Sequence, residues 1–346
     1  MTTAPERLRL PAEWEPQAAI LMAWPHAGTD WASRLTRVER TCTAMARAIT
    51  HFEPLIICVA DAALDQRVRF LLDHADVDMA RVRLVELPYD DTWLRDSGPI
   101  TLCDVRGPAR LLDFRFTGWG GKFEASQDDA LVAALSRQGL FGASERQRVD
   151  WALEGGAIES DGEGTILTTW RCLHQRHPDM SREAITTFLR DKLAADRVLW
   201  LDHGYLQGDD TDAHVDTLAR FAPDHAIVHQ ACDDPADPHF DELARMAEEL
   251  AALRTASGQP YTLHPLPWPQ PIMDEGRRLA ASYANYLIVN NAVLMPSYDD
   301  PADAAAAKII GTAYPGREVV QVPCLPLIWQ NGSLHCMTMQ LPAGVL

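Results

Sequence analysis

Basic residues are scarce in this chain: 31 Lys and Arg stand against 49 Asp and Glu, for a net charge of -18. Phosphate binding needs clustered cations, so nucleic acid is not the expected partner. The acidity suits a small cationic ligand, although acidity also simply keeps a protein soluble. No uncharged apolar run approaches the length of a membrane span, and Met1–Pro16 lacks the apolar core of a signal peptide. A soluble, cytoplasmic protein with no membrane partner is expected. Cys42, Cys58, Cys103, Cys172, Cys232, Cys324 and Cys336 are scattered, odd in number and free of any Cys-x-x-Cys pair. A disulfide framework or zinc ribbon is therefore disfavoured, and a reducing compartment is the default.

The common cofactor and hydrolase signatures are missing too. There is no Gly-x-Gly-x-x-Gly after a strand pattern and no Gly-x-x-x-x-Gly-Lys, which removes the usual nucleotide sites. Gly-x-Ser-x-Gly and His-Glu-x-x-His are also absent, against a serine hydrolase or a zinc protease. Neither a cofactor nor a metal is expected.

What is present is a chain with 47% hydrophobic and 23% charged residues, able to bury a sizeable core. Apolar runs read as strands at Ala18–Trp24, Leu55–Ala60, Arg81–Leu87, Arg110–Phe114, Thr165–Thr169, Val198–Leu201, Ala226–His229, Tyr286–Asn290, Val319–Val322 and Leu334–Met339. Helical patterns cover about 34–50, 64–74, 126–137, 181–193, 240–256 and 302–313, the last announced by Asp300-Pro301. The alternation predicts an α/β fold. No linker divides the chain, Pro260–Pro271 reads as one loop, and no fixed-period repeat appears in the residue identities. One domain over residues 1–346 is expected.

Four stretches gather catalytic residue types. Asp90-Asp91-Thr92-Trp93-Leu94-Arg95-Asp96-Ser97-Gly98-Pro99 follows a strand pattern, where carboxylates point readily into a cleft; the same residues also make an ordinary turn. Glu154 precedes Gly155-Gly156, a pair that permits close backbone approach but also suits any tight loop. Gly208–Asp216 packs four carboxylates and His214 into the densest titratable cluster. In an extended segment His214 and Asp216 would share a face, and a carboxylate beside a His makes it a competent acid near neutrality. Divalent-metal ligation by Asp209, Asp210, Asp212, His214 and Asp216 is the rival reading. Finally, Gln330–Thr338 is polar and glycine-containing and holds His335-Cys336. The other six cysteines sit mainly in apolar settings that fit a core, so Cys336 is the candidate nucleophile.

Together these groups match the needs of guanidinium hydrolysis. The delocalised cation must be held flat between carboxylates, a thiolate must attack its poorly electrophilic carbon, and a His must move the protons.

Several motifs carry a specific resemblance: Pro11-Ala12-Glu13-Trp14-Glu15-Pro16, Trp93–Pro99, Trp119-Gly120-Gly121, Leu153–Gly156, Gly208–Asp216, Ala281-Ser282-Tyr283-Ala284-Asn285 and Gly332-Ser333-Leu334-His335-Cys336. They span nearly the whole chain, which resembles the agmatine deiminases and bacterial peptidylarginine deiminases of the guanidine-modifying superfamily. The resemblance implies a five-bladed α/β-propeller (pentein) with pseudo-fivefold symmetry and a central active-site channel. It also implies hydrolysis of agmatine to N-carbamoylputrescine and ammonia through a covalent cysteine thiouronium, in putrescine biosynthesis. A protein- or peptidyl-arginine deiminase on the same scaffold is the alternative. By motif, Cys336 is the nucleophile, His214 the general acid and base, Asp96 and Asp216 the guanidinium grip, and Glu154 the residue that orients the His. Trp93, Trp119 and Asp210 are expected to line the channel. A homo-oligomer, dimer or tetramer, is compatible. Two departures from the family pattern stand out: Ala213 replaces a glycine, and Gln330-Asn331-Gly332-Ser333-Leu334 replaces a run of glycines and Asn.

Overall fold

The computed structural model describes residues 8–104 and 108–346; the start of the Met1–Pro16 segment, residues 1–7, lies outside them. One small design recurs in five sheets. Thr338–Pro342 pairs antiparallel with Gln17–Ala23, which pairs parallel with Leu55–Val59, and Val82–Glu86 extends that sheet. The second sheet orders Ile100–Leu102, Arg110–Arg115 and Glu145–Ala152. Ile158–Ser160, Thr165–Thr169 and Arg197–Leu201 make the third. Ala219–Ala222, Ala226–Gln230 and Thr262–Leu266 make the fourth, and Leu287–Val289, Ala292–Ser297 and Glu318–Pro323 the fifth. In every case an antiparallel pair is followed by a parallel strand. Parallel pairing demands a crossover, which helices supply.

Those helices are amphipathic for that reason. Leu35–Phe52 buries Val38, Cys42, Met45, Ala46 and Ile49, a helical stripe pressed on the sheets. Asp61 caps Ala62–Asp73 by accepting from the Leu64 amide, and Ser181 caps Arg182–Leu193 through the Ala184 amide. The first sheet joins the two ends of the chain, since its central strand is N-terminal and its outer strand C-terminal. Among the described residues no helix is long and apolar enough to cross a membrane.

Two readings of the sequence are corrected. Pro260–Pro271 is not one loop: Thr262–Leu266 forms the outer strand of the fourth sheet. Pro265 is tolerated because an edge strand need not donate on both sides. Leu334–Met337 is a turn rather than the start of a strand, with the Thr338 amide donating to the His335 carbonyl at 3.0 Å; the strand begins at Thr338. Strands as short as Ile100–Leu102 and Ile158–Ser160, and the helix Trp170–Arg176, went unread because three to seven residues give no usable period.

Candidate active site

The repeated design puts the chemistry in equivalent places. Each link from the last strand of one sheet to the first strand of the next carries a polar residue that reaches the same cluster: Asp96, Glu154, His214 with Asp216, Asn285, and His335 with Cys336. Several links tighten into a single helical turn, Leu94–Ser97, Gly155–Ala157 and Val215–Thr217. His214 and Asp216 therefore meet the cluster from a 3-10 turn, not from the extended segment expected.

A cavity of about 290 Å³ opens onto this cluster. Its wall includes Cys336, Asp96, Trp93, Trp119, Phe123 and Asp210, and further acids at Asp30, Asp90, Asp91, Glu124 and Asp128. Among the described residues no Lys or Arg lines it. Asp128 accepts the backbone amides of Asp90 and Asp91, and Asp90 holds Gln127, so part of this acidity shapes the loop. Burial pushes the Asp91 and Asp128 carboxyls up to about 7.

Asp96 is held by two donors: the Trp119 indole reaches Oδ2 at 2.9 Å and the Gly156 amide reaches Oδ1 at 3.0 Å. Trp119 takes φ +56°, in the left-handed region that costs a non-glycine residue about 1 kcal/mol. Oδ1 of Asp96 also lies 3.6 Å from His214 Nδ1, while His214 Nε2 faces Glu154 Oε2 at 3.4 Å. Arg176 fastens this side: its Nε donates to Glu154 at 2.8 Å, one Nη to Asp212 at 2.7 Å, and the other to the Thr211 carbonyl at 3.0 Å. Burial opposes charge on His214, but Asp96, the Cys172 thiol and Glu154 outweigh it and hold the imidazole well above its ordinary value. Burial likewise opposes ionisation of Glu154, and His214 and Arg176 reverse that and pull its carboxyl down. For Asp96 burial prevails over His214, and the carboxyl is raised.

Cys336 is buried, and the Asn285 side-chain amide donates to its Sγ at 3.2 Å. Asn285 Oδ1 accepts the His335 amide at 3.0 Å, and Asp216 Oδ2 lies 3.8 Å from the sulfur. Burial, then Asp216 and Asp96, push the thiol well above its ordinary value despite the Asn285 contact. Gly156 shows how tightly the halves meet. A Cβ there would sit 2.6 Å from His214 Nδ1, 2.9 Å from Asp96 Oδ1 and 3.0 Å from Asp216 Oδ2. Thiol and imidazole thus share one pair of carboxylates, although only Cys336 reaches the cavity wall while His214, Asp216 and Glu154 stand behind it.

Most residues singled out in the sequence converge here, with instructive exceptions. The acidic run before His214 is not a ligand set among the described residues. Asp209 accepts from Thr211 and Ala213, Asp212 from Lys122 and Arg176, and only Asp210, gripped by Asn331, faces the cavity. Ala213 takes φ +72°, so the glycine of the family pattern suits the backbone and Ala213 is held there by Asp209 Oδ2 at 2.7 Å. Gly332 is retained for a packing reason, because a Cβ would strike the Trp93 ring. Four of the six remaining cysteines are buried; Cys103 and Cys232 are only half-buried. Cys172 is not merely core, since its sulfur stands within 4.8 Å of ligand atoms of Glu154 and His214. Sequence reasoning gave no role to Asn285, Glu13 or Arg176. The first two sit in quoted motifs, whereas nothing marks Arg176 as buried.

A thiol, an imidazole and paired carboxylates at the end of an acidic, aromatic cavity define the deiminase class of site. A family model described as Porphyromonas-type peptidyl-arginine deiminase matches residues 9–342, and the chain belongs to that family. It is 35% identical to an agmatine deiminase of Pseudomonas aeruginosa (strain UCBPP-PA14) over 99% of this chain and 97% of that one. A cysteine-to-serine agmatine deiminase of C. jejuni with substrate bound superposes with a TM-score of 0.91 at 31% identity, covering 100% of this chain and 99% of that one. A Porphyromonas gingivalis structure provisionally named an arginine deiminase gives 0.90 at 46% identity, over 98% and 99%.

Proposed function

We propose that this protein is an agmatine deiminase, converting agmatine and water to N-carbamoylputrescine and ammonia, a step toward putrescine. The observation that carries the reading is the wall of the cavity. Agmatine is a cation at both ends. The guanidinium belongs at Asp96 and Asp216, and the distal ammonium falls among the outer acids, with Trp93 and Trp119 flanking the alkyl stem. Arginine and arginyl peptides carry a carboxylate or carbonyl at that far end, and no Lys or Arg among the described residues of the wall would receive a carboxylate. Agmatine deiminases among the relatives support the same choice.

In this reading Cys336 gives up its proton to solvent as the cation binds, and the thiolate attacks the guanidinium carbon, forming a C–S bond. His214 gives a proton to the departing nitrogen, which leaves as ammonia, and an S-alkylthiouronium remains. Water deprotonated by His214 then adds to the same carbon, the C–S bond breaks, and the ureido product leaves with the thiol restored. Glu154 orients His214, and its two oxygens are occupied by Arg176 and His214 rather than by substrate. The five like sheets, each lending one link to the cluster, are read as the blades of a single propeller domain around a channel, with pseudo-fivefold symmetry. Free thiols throughout suit a reducing cytoplasm.

The test is ammonia release from agmatine, free arginine and an arginyl peptide, each with and without chelator. Turnover of agmatine alone, insensitive to chelation, is expected. Preference for the peptide would establish the alternative, and chelator-sensitive activity would defeat the cysteine mechanism.

A further inference from the structure

Behind Cys336 lies a second charged cluster that the mechanism above does not use. His335 is buried, and both of its ring nitrogens face carboxylates: Nδ1 is 2.7 Å from Asp216 Oδ2, and Nε2 is 2.7 Å from Glu13 Oε2. An imidazole meets two carboxylates at that distance only if each nitrogen carries a hydrogen, or if one carboxylate is protonated. Arg220 decides between these. Its Nη2 donates to the same Glu13 oxygen at 2.8 Å, its Nε to Glu159, and its Nη1 to the Tyr286 carbonyl at 2.7 Å. Although burial works against charge on Glu13, His335, Arg220 and Arg95 overturn it and hold its carboxyl far below the usual range, so the hydrogen belongs to the ring. The longer Arg220–Nε2 approach of 3.1 Å is then a neighbour contact, not a donation.

The consequence reaches the reaction centre. Asp216 spends Oδ2 on His335, Asn285 and the sulfur, while its Oδ1 has no hydrogen-bond partner among the described residues. A fixed ring sets which oxygen is spent and which stays free.

The geometry points to Glu13 as a positioning residue for the reaction: it keeps a hydrogen on each nitrogen of His335, and that ring fixes Asp216 with Oδ1 uncommitted for the guanidinium. The N-terminal segment thereby supplies part of the active site it never touches. This rests on the deiminase reading of Asp216.

In Glu13→Gln, which offers Nε2 of His335 a weaker, uncharged acceptor, kcat/KM for agmatine is expected to fall about ten-fold or more. No loss overturns the proposal. Glu13→Ala adds a second readout, because truncation enlarges the small cavity of about 50 Å³ that Glu13 and His335 line and makes room for a carboxylate; partial recovery with formate is expected, and none in Glu13→Gln. Should the variants fail to fold, nitrogen-15 NMR of the wild-type ring, assigned by its loss in His335→Asn, decides. Two ring hydrogens between pH 6 and 8 support the assignment, and one overturns it. That measurement needs no substrate, so it stands apart from failure of the enzyme on agmatine.

Discussion

Trp119 and Asp96 are joined by a hydrogen bond from the indole Nε1 to Oδ2 at 2.9 Å, made by a tryptophan held at φ +56°. The strained backbone aims the donor, and the same ring stays on the cavity wall beside Phe123. One side chain thus shapes the cavity and steadies a carboxylate that burial already raises.

Replacing it by Phe separates those two roles. The aromatic face persists, but a buried acceptor is left unmet, a cost of about 1–3 kcal/mol. Trp119→Phe is expected to lower kcat/KM for agmatine by roughly ten- to a hundred-fold, with Tm lowered by only a few degrees. Steady-state kinetics with parallel thermal melts check this; unchanged kinetics would mean the bond contributes nothing.

How much of this was legible in the sequence follows the physics of each element. The helix at 35–52 was readable because eighteen residues repeat an apolar stripe, whereas the strand at 158–160 has too few residues to show one. The five-sheet repeat was invisible in residue identities because pairing pattern, not side-chain identity, is what recurs. Cys336, His214 and Asp96 could be picked out by residue type and local motif. Arg176 could not, since a helical arginine looks solvent-facing until the loop it fastens is in place.

Among the described residues the Cys336 thiol has no cationic hydrogen-bond partner, and burial with Asp216 and Asp96 raises it. A bound guanidinium brings the missing positive charge, so the thiol should react as a thiolate chiefly when a cation sits beside it. A cationic haloacetamidine is expected to inactivate the enzyme at least about a hundred-fold faster than neutral iodoacetamide at pH 7. Mass spectrometry should place the adduct on Cys336. Equal rates for the two reagents would mean that the resting thiol is already ionised.

Asp91 carries opposite demands for stability and binding. Burial lifts its carboxyl to about 7, so the folded chain holds that proton more tightly than the unfolded one. Its stabilising effect is present below the unfolded value near 4 and is lost as pH rises through about 7. Cation binding runs the other way and weakens as pH falls through 7. The KM for agmatine should therefore rise below neutrality. Asp91→Asn keeps Oδ1 on the Thr92 amide, and is expected to raise Tm at pH 8 by about 2 °C while raising KM roughly five- to ten-fold. A KM that ignores both pH and this substitution would place the distal ammonium elsewhere.

Gly156 offers the strictest geometric test, because its backbone passes where imidazole and both carboxylates converge. Its amide donates to Asp96, so the loop cannot retreat without breaking that bond. In Gly156→Ala the added methyl would lie within 3.0 Å of His214, Asp96 and Asp216 at once. Displacing a reacting group by about 1 Å costs on the order of a hundred-fold in rate. The expected result is a loss of kcat of at least that size, with destabilisation of about 1–3 kcal/mol from overpacking. Gly344→Ala supplies the control, since a Cβ there meets no atom within 4 Å, and its φ of +90° carries a backbone strain that Gly156 does not have. If the two variants lose activity equally, general destabilisation rather than the packing of His214 against its carboxylates explains the loss.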